Sequence, residues 1–249
     1  NEDGSVVVVF NGEIYNYQQL IPELQALGHV FHTKSDTEVI VHAWESWGRD
    51  CVKRFRGMFA FALWDRNQQV LFMARDRLGV KPMYYALLDD GTLLFGSELK
   101  SVLAHGGLRR EIEPLAVEEY FALGYVAEPR TIFKQAKKLP PAHTLVIRRG
   151  QPVAEPVEYW DVRFSLDNPI SEADAQAELV DRLSAVDAVR VYPAGDHQLP
   201  PEHGEAEDDE IVSAVRILIG QRRQDADCRI DAGEEIGHRH AGADRKSVV

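Results

Sequence analysis

The run Gly57–Asp65 (GMFAFALWD) constrains this chain more than any other stretch of it. Read as a strand, it places Met58, Ala60, Ala62 and Trp64 on one face and Phe59, Phe61 and Leu63 on the other. Both faces are apolar, so such a strand has to lie between two covering layers. The break at Arg66-Asn67-Gln68 and the run Val70–Ala74 (VLFMA) read as its hairpin return. Ser5–Phe10 (SVVVVF) reads as a further buried strand, and Tyr84–Leu88 with Thr92–Phe95 as a second hairpin. The turn of that hairpin, Asp89-Asp90-Gly91, is a strong signal because glycine tolerates positive φ. Thr144–Ile147 closes the series before Arg149-Gly150.

Two helices are expected early. Tyr17–Leu27 carries Leu20, Ile21, Leu24 and Leu27 on one stripe and stops at Gly28. The second starts at Ser35-Asp36-Thr37-Glu38, which fits a capping box: a hydroxyl and a carboxylate each satisfy an orphan amide. Its apolar stripe is Val39, Ile40, Ala43, Trp44 and Trp47, ended by Gly48. Hairpins separated by helices predict an α+β fold of antiparallel sheets covered by helices, not a parallel βαβ sheet. Neither an internal repeat nor a GxGxxG or P-loop phrase occurs.

Composition separates two stretches. Of the 22 Phe, Trp and Tyr residues, 21 lie in residues 1–165, and Tyr192 alone lies beyond. Most of the net charge of −12 also falls in residues 166–249. A globular domain over 1–165 is therefore expected, followed over 166–249 by a poorly structured acidic tail in which Ile211–Ile219 can form a short element. The acidic balance argues against a nucleic-acid partner. No apolar run approaches the ~20 residues of a membrane span, and no charged-then-apolar leader opens the chain, so a cytoplasmic location is expected. Two cysteines, Cys51 and Cys228, make no disulfide framework. Cys228, His238 and His240 fit no closed zinc spacing, and no metal ligand set is assigned.

The chemistry concentrates in short phrases. Asn11 can donate its side-chain NH₂, and Gly12 can let its backbone N–H approach a substrate closely; these are the two donors an oxyanion hole requires. On spacing alone an Asx-type turn leaving a strand is the commoner meaning of such a phrase. Asp36, in the first turn of a helix, can fix a ligand ammonium or simply complement the helix dipole. Arg75-Asp76-Arg77 with Lys81-Pro82 is open between a cluster facing a partner or a path for a small molecule and a surface ion pair at a turn. Glu98 and Lys100 start a helix, and Lys137-Lys138-Leu139-Pro140-Pro141 reads as a rigid connection. Cys51 reads as a buried structural thiol.

Together the phrases FNGEIYNY (10–17), SDTEVI (35–40), RFRGMFAFALWD (54–65), ARDRLGVKPMYY (74–85) and FGSELKSVL (95–103) resemble the glutaminase domain of asparagine synthetase-type enzymes. The likeness is especially close to the amidotransferases of that family associated with bacterial polysaccharide and exosortase loci. It implies a four-layer αββα N-terminal-nucleophile hydrolase fold of two antiparallel sheets, incomplete at its N-terminus. In that family an N-terminal cysteine attacks the glutamine side-chain amide, with its own α-amine as base. Asn11 and Gly12 are implied as the oxyanion hole; Asn11, Gly12, Glu13 and Asp36 are implied as the glutamine-binding residues. Ammonia is implied to pass to a synthetase domain that uses ATP and Mg²⁺ to amidate a carboxylate such as aspartate. A homodimer is among the assemblies expected.

The chain departs from the family pattern at both ends. The nucleophilic cysteine is expected before the position of Asn1, and Cys51, lacking a free α-amine, cannot replace it. No glutaminase turnover is expected from this polypeptide as written, and measurable ammonia release overturns that. Past Glu178–Leu183 the family pattern reaches a Ser-Gly-Gly-x-Asp-Ser pyrophosphate loop, which this chain never produces. A frame shift near residues 183–190 is expected, with Asp244–Val249 matching the translated end of a sequencing adapter. Two other functions stay open. One is an N-terminal-cysteine amidotransferase of the sugar-phosphate or phosphoribosyl type, told apart by its downstream domain. The other is a non-catalytic glutamine-binding module, told apart by stoichiometric binding without hydrolysis.

Overall fold

The strand with two apolar faces lies where its composition requires. In a computed structural model of the protein, which describes residues 1–164, 170–190, 215–218 and 231–232, it is β2 (Gly57–Asp65). It pairs antiparallel with β1 (Val6–Ile14) on one side and with β3 (Val70–Arg75) on the other. Phe59, Phe61 and Leu63 pack with α1 (Tyr17–Ala26), α2 (Asp36–Trp47) and α3 (Cys51–Arg54), through Leu20, Leu24, Ile40, Trp44 and Val52. The opposite face puts Ala60, Ala62 and Trp64 into a second cluster with residues of the other sheet, Tyr85, Leu93 and Phe95.

That other sheet is built on β4 (Tyr84–Leu87) and β5 (Thr92–Gly96), followed by α4 (Leu99–Leu103) and α5 (Pro114–Leu123). The chain continues through β6 (Ala136–Lys138), β7 (His143–Arg148) and β8 (Val157–Glu158). The first sheet runs β1-β2-β3-β7-β8. A third cluster lies on the far face of the second sheet, where Ala86, Leu88 and Leu94 meet Val102 of α4. Both sheets are antiparallel throughout, as the alternation of hairpins and helices predicts.

Several local expectations are corrected. β1 does not stop at Phe10 but continues to Ile14, and as the outer strand of its sheet it is half-exposed rather than buried. Leu27 falls outside α1 and is exposed, because the chain turns at Gly28 before the stripe completes another turn. The capping box is half-formed. Ser35 Oγ accepts from Thr37 N at 3.1 Å, while the Glu38 carboxylate turns outward to accept from His32 N and Thr33 N at 2.6 and 2.7 Å. Lys137 and Lys138 are not a connection but part of β6, at the edge of the second sheet next to β4. Lysines on a short edge strand discourage pairing with another chain.

The described residues beyond 165 form one helix and two strands. Val215–Leu218 forms β9 beside β5, within the short element expected there, and Asp231–Ala232 forms β10 beside β9. A separate compact unit, Val162–Ile211, contains α6 (Glu172–Arg190), a 19-residue helix rich in Ala, a good helix former. The sequence readings at Cys228, His238, His240 and 244–249 lie outside the described residues.

Candidate active site

The Asn11-Gly12-Glu13 phrase lies inside β1, not in a turn after it. Its cross-strand partners are Ala60, Phe59 and Met58. Directly opposed residues of an antiparallel pair share a face. Asn11 and Glu13 therefore lie on the face of Ala60 and Met58, while Phe10 and Ile14 face the helices.

Gly12 sits at φ +146°, and a Cβ there would lie 2.1 Å from the Met58 carbonyl oxygen. Gly57, at φ +150°, repeats this from the other strand, its Cβ position 2.0 Å from the Glu13 oxygen. Two strands thus approach backbone to backbone where neither can carry a side chain. This close approach is by itself a reason for Gly12, and one a linear reading of β1 cannot reveal.

Asp36 arrives from the helix layer, at the start of α2. Its Oδ2 accepts from Ile14 N at 3.0 Å, so the first residue of α2 is tied to the end of β1 immediately after Glu13. The structure therefore joins three of the expected positions in one strand and brings the fourth within one hydrogen bond of that strand. Nearby, Asn16 clamps the chain that leads into β2: Asn16 Nδ2 donates to Arg54 O at 3.0 Å, and Arg56 N donates to Asn16 Oδ1 at 2.8 Å.

The Arg75-Asp76 pair, left open above, is buried rather than a surface ion pair. Asp76 is 1% exposed and its carboxylate accepts four backbone N–H groups. These are Phe59 N at 3.1 Å and Leu78, Val80 and Lys81 N at 3.1, 3.0 and 3.0 Å. It thus ties the loop after β3 to Phe59, the residue paired with Gly12. Arg75 donates to the carbonyls of Lys81, Gly79 and Leu139 at 2.7, 2.8 and 2.7 Å, and to Glu128 Oε1 at 2.7 Å. Tyr159 closes the arrangement by donating to Arg75 O at 2.8 Å, and burial pushes its phenol well above the ordinary range. The signal available in sequence was an Arg-Asp pair at the end of an apolar strand, followed by Gly79 and Pro82. Cys51 is fully buried, and that burial pushes its thiol far above the ordinary range, which suits a structural thiol and not a nucleophile.

The glutamine amidotransferase domain family matches this chain over residues 1–160. The chain belongs to that family. Asparagine synthetase (glutamine-hydrolyzing) 3 of Bacillus subtilis (strain 168) is 45% identical over 156 residues, 62% of this chain and 25% of that protein. Asparagine synthetase (glutamine-hydrolyzing) 1 of the same organism is 40% identical over 148 residues, 59% of this chain and 23% of that protein. The amidotransferase chain thus spans about a quarter of the length of these curated relatives. A similarly named protein of Mycobacterium tuberculosis (strain ATCC 25618 / H37Rv) aligns at 34% identity over 252 residues, 94% of this chain and 38% of that protein. That alignment runs beyond residue 165. Among solved structures, glutamine phosphoribosylpyrophosphate amidotransferase from B. subtilis, complexed with ADP and GMP, matches with a TM-score of 0.42 and 18% identity. It covers 64% of this chain and 30% of that one, too loose a likeness to add to the topology.

Among the described residues no glycine-rich loop leads a strand into a helix N-terminus. No helix among them is long and apolar enough to cross a membrane.

Proposed function

We propose that this domain is the glutaminase part of a glutamine-hydrolysing, asparagine synthase-type amidotransferase. The observation that carries the reading is the tie between Asp36 and Ile14 N, which sets a carboxylate beside the strand bearing Asn11, Gly12 and Glu13. In this reading Glu13 and Asp36 hold the α-ammonium group of glutamine. The Asn11 NH₂ and the Gly12 N–H donate to the oxygen of the side-chain amide as it becomes an oxyanion. The nucleophile is the family's N-terminal cysteine. Its sulfur bonds to the amide carbon, the C–N bond breaks, and ammonia leaves with a proton relayed by the α-amine; water then hydrolyses the thioester.

The finer fold belongs to the same proposal: the two sheets and their covering helices form the αββα layering of an N-terminal-nucleophile hydrolase. Ammonia then serves the amidation of a carboxylate such as aspartate by an ATP- and Mg²⁺-dependent synthetase domain, in a cytoplasmic protein that can dimerise.

The test uses the protein with its family N-terminal segment in place. Asn11→Ala lowers kcat for glutamine hydrolysis about 10²–10³-fold. Asp36→Asn keeps an oxygen for Ile14 N–H but loses the charge, so it raises KM for glutamine by tenfold or more. Unchanged kcat in the first and unchanged KM in the second overturn the assignment. Calorimetric titration of glutamine into the present chain, with and without Asp36→Asn, reads the binding half alone.

A further inference from the structure

Away from the glutamine site, α2 carries Glu38, His42 and Glu45 at spacings of four and three residues, all on one side of the helix. His42 is 1% exposed. Its Nδ1 lies 3.1 Å from Glu45 Oε2; in the tautomer that donates Nδ1–H to this carboxylate, Nε2 presents a lone pair. That Nε2 is buried and has no hydrogen-bond partner. The nearest carboxylate, Glu38 Oε1, stands 3.6 Å away and already accepts from His32 N. A buried nitrogen lone pair with no donor facing it is costly unless something electrophilic meets it.

Two further ligand-type groups converge on the His42 side chain. The His29 ring stands beside the His42 ring, centroids 4.8 Å apart, and its Nε2 is 2.7 Å from Ser46 Oγ. Glu2 approaches from the chain ahead of β1, its Oε1 accepting from Val30 N at 3.2 Å. One ligand atom from each of Glu2, His29 and His42 lies within 4.8 Å of the others. Phe31 closes another side, edge-on to His42 at 4.7 Å.

We propose that Glu2, His29 and His42 form a binding site for one divalent transition-metal ion of the zinc type. Two imidazoles and a carboxylate are a donor set that zinc, cobalt and nickel favour over magnesium or calcium. Tetrahedral zinc at ordinary bond lengths sets ligand atoms roughly 3.4 Å apart, so the cluster has to contract on binding. The exposed Glu2 can make most of that movement. Glu45 Oε2 lies 3.1 Å from His42 Nδ1 and 3.6 Å from His29 Nδ1, so this carboxylate is placed to orient both rings, as an outer carboxylate does for metal-ligating histidines. The ion would pin the segment ahead of β1 to α2 and to the loop after α1, three places that share no local motif.

The full chain, stripped with chelator at pH 7, is titrated calorimetrically with Zn²⁺ and followed with Co²⁺ by visible absorption. One ion per chain, with a micromolar or tighter Kd and a tetrahedral Co²⁺ spectrum, is expected. His42→Gln weakens binding at least tenfold, and Glu2→Gln does so without touching a buried group. Thermal unfolding of the metal-free variants shows whether His42→Gln still folds; Glu2→Gln carries the test if it does not. Absence of binding overturns the proposal. So does binding that survives Glu2→Gln unchanged, since it would then come from other histidines such as His203, His238 or His240.

Discussion

The two ends of the β1–β2 ladder are held by opposite means. At the Val6–Asp65 end, side chains do the holding. Asp65 is buried and accepts from Trp44 Nε1 at 2.8 Å and from Gln68 N and Nε2 at 2.8 and 2.7 Å, and Trp44 stacks on Phe72. At the Gly12–Gly57 end it is the lack of side chains that lets the backbones close. The first arrangement is graded: a partner removed weakens it by the worth of that partner. The second is all-or-none, because one methyl group at either glycine occupies the place of a carbonyl oxygen. The proposed glutamine site lies at the all-or-none end.

The largest effect expected follows from that contrast. Gly12→Ala forces a Cβ into the Met58 carbonyl at an unfavourable φ, and should cost at least about 3 kcal/mol in chemical denaturation. Retained stability and glutamine binding in Gly12→Ala would break the comparison, since the close approach would then be adjustable.

A smaller effect is expected at the graded end. Trp44→Phe keeps most of the apolar contact but removes one donor from the buried Asp65 carboxylate, at a cost of about 1–3 kcal/mol. The domain should still fold, with a lowered Tm and unchanged glutamine affinity. A Trp44→Phe loss exceeding that of Gly12→Ala would reverse the ranking.

The smallest effect lies away from both ends, where Glu119 of α5 pairs with Arg130 and accepts from Ala127 N at 3.2 Å. The Arg130 hydrogen bond holds this carboxyl below its ordinary 4.5. A depressed carboxyl stabilises the folded state above its unfolded value, and that stabilisation is lost as pH falls through the folded one. Glu119→Gln should therefore lower Tm slightly at pH 7, with the difference from the parent shrinking below pH 4.5. A difference that persists or grows in acid would show that the pair contributes by packing and not by charge.

How much of this was legible in sequence varies from element to element. β2, β3 and the Asp89-Asp90-Gly91 hairpin were readable because alternation and turn chemistry act over a few residues. The length of β1 was not. Asn11, Gly12 and Glu13 are poor strand formers by composition, and they are extended because Ala60, Phe59 and Met58 pair with them across the sheet. The capping box was half-legible: Ser35 acts locally as expected, but Glu38 found better donors in the preceding loop.

Sequence by itself determined the antiparallel α+β architecture, the two covering helices and the phrases that place the chain among glutamine amidotransferases. Tertiary structure alone decided which carbonyl faces Gly12, that Asp36 reaches Ile14 across 22 residues, that Asp76 is buried under four amides, and that Glu2, His29 and His42 converge. The physical reason is range. Periodicity, caps and turns are settled by neighbours a few positions away, whereas burial and cross-strand register exist only after distant segments have closed on one another.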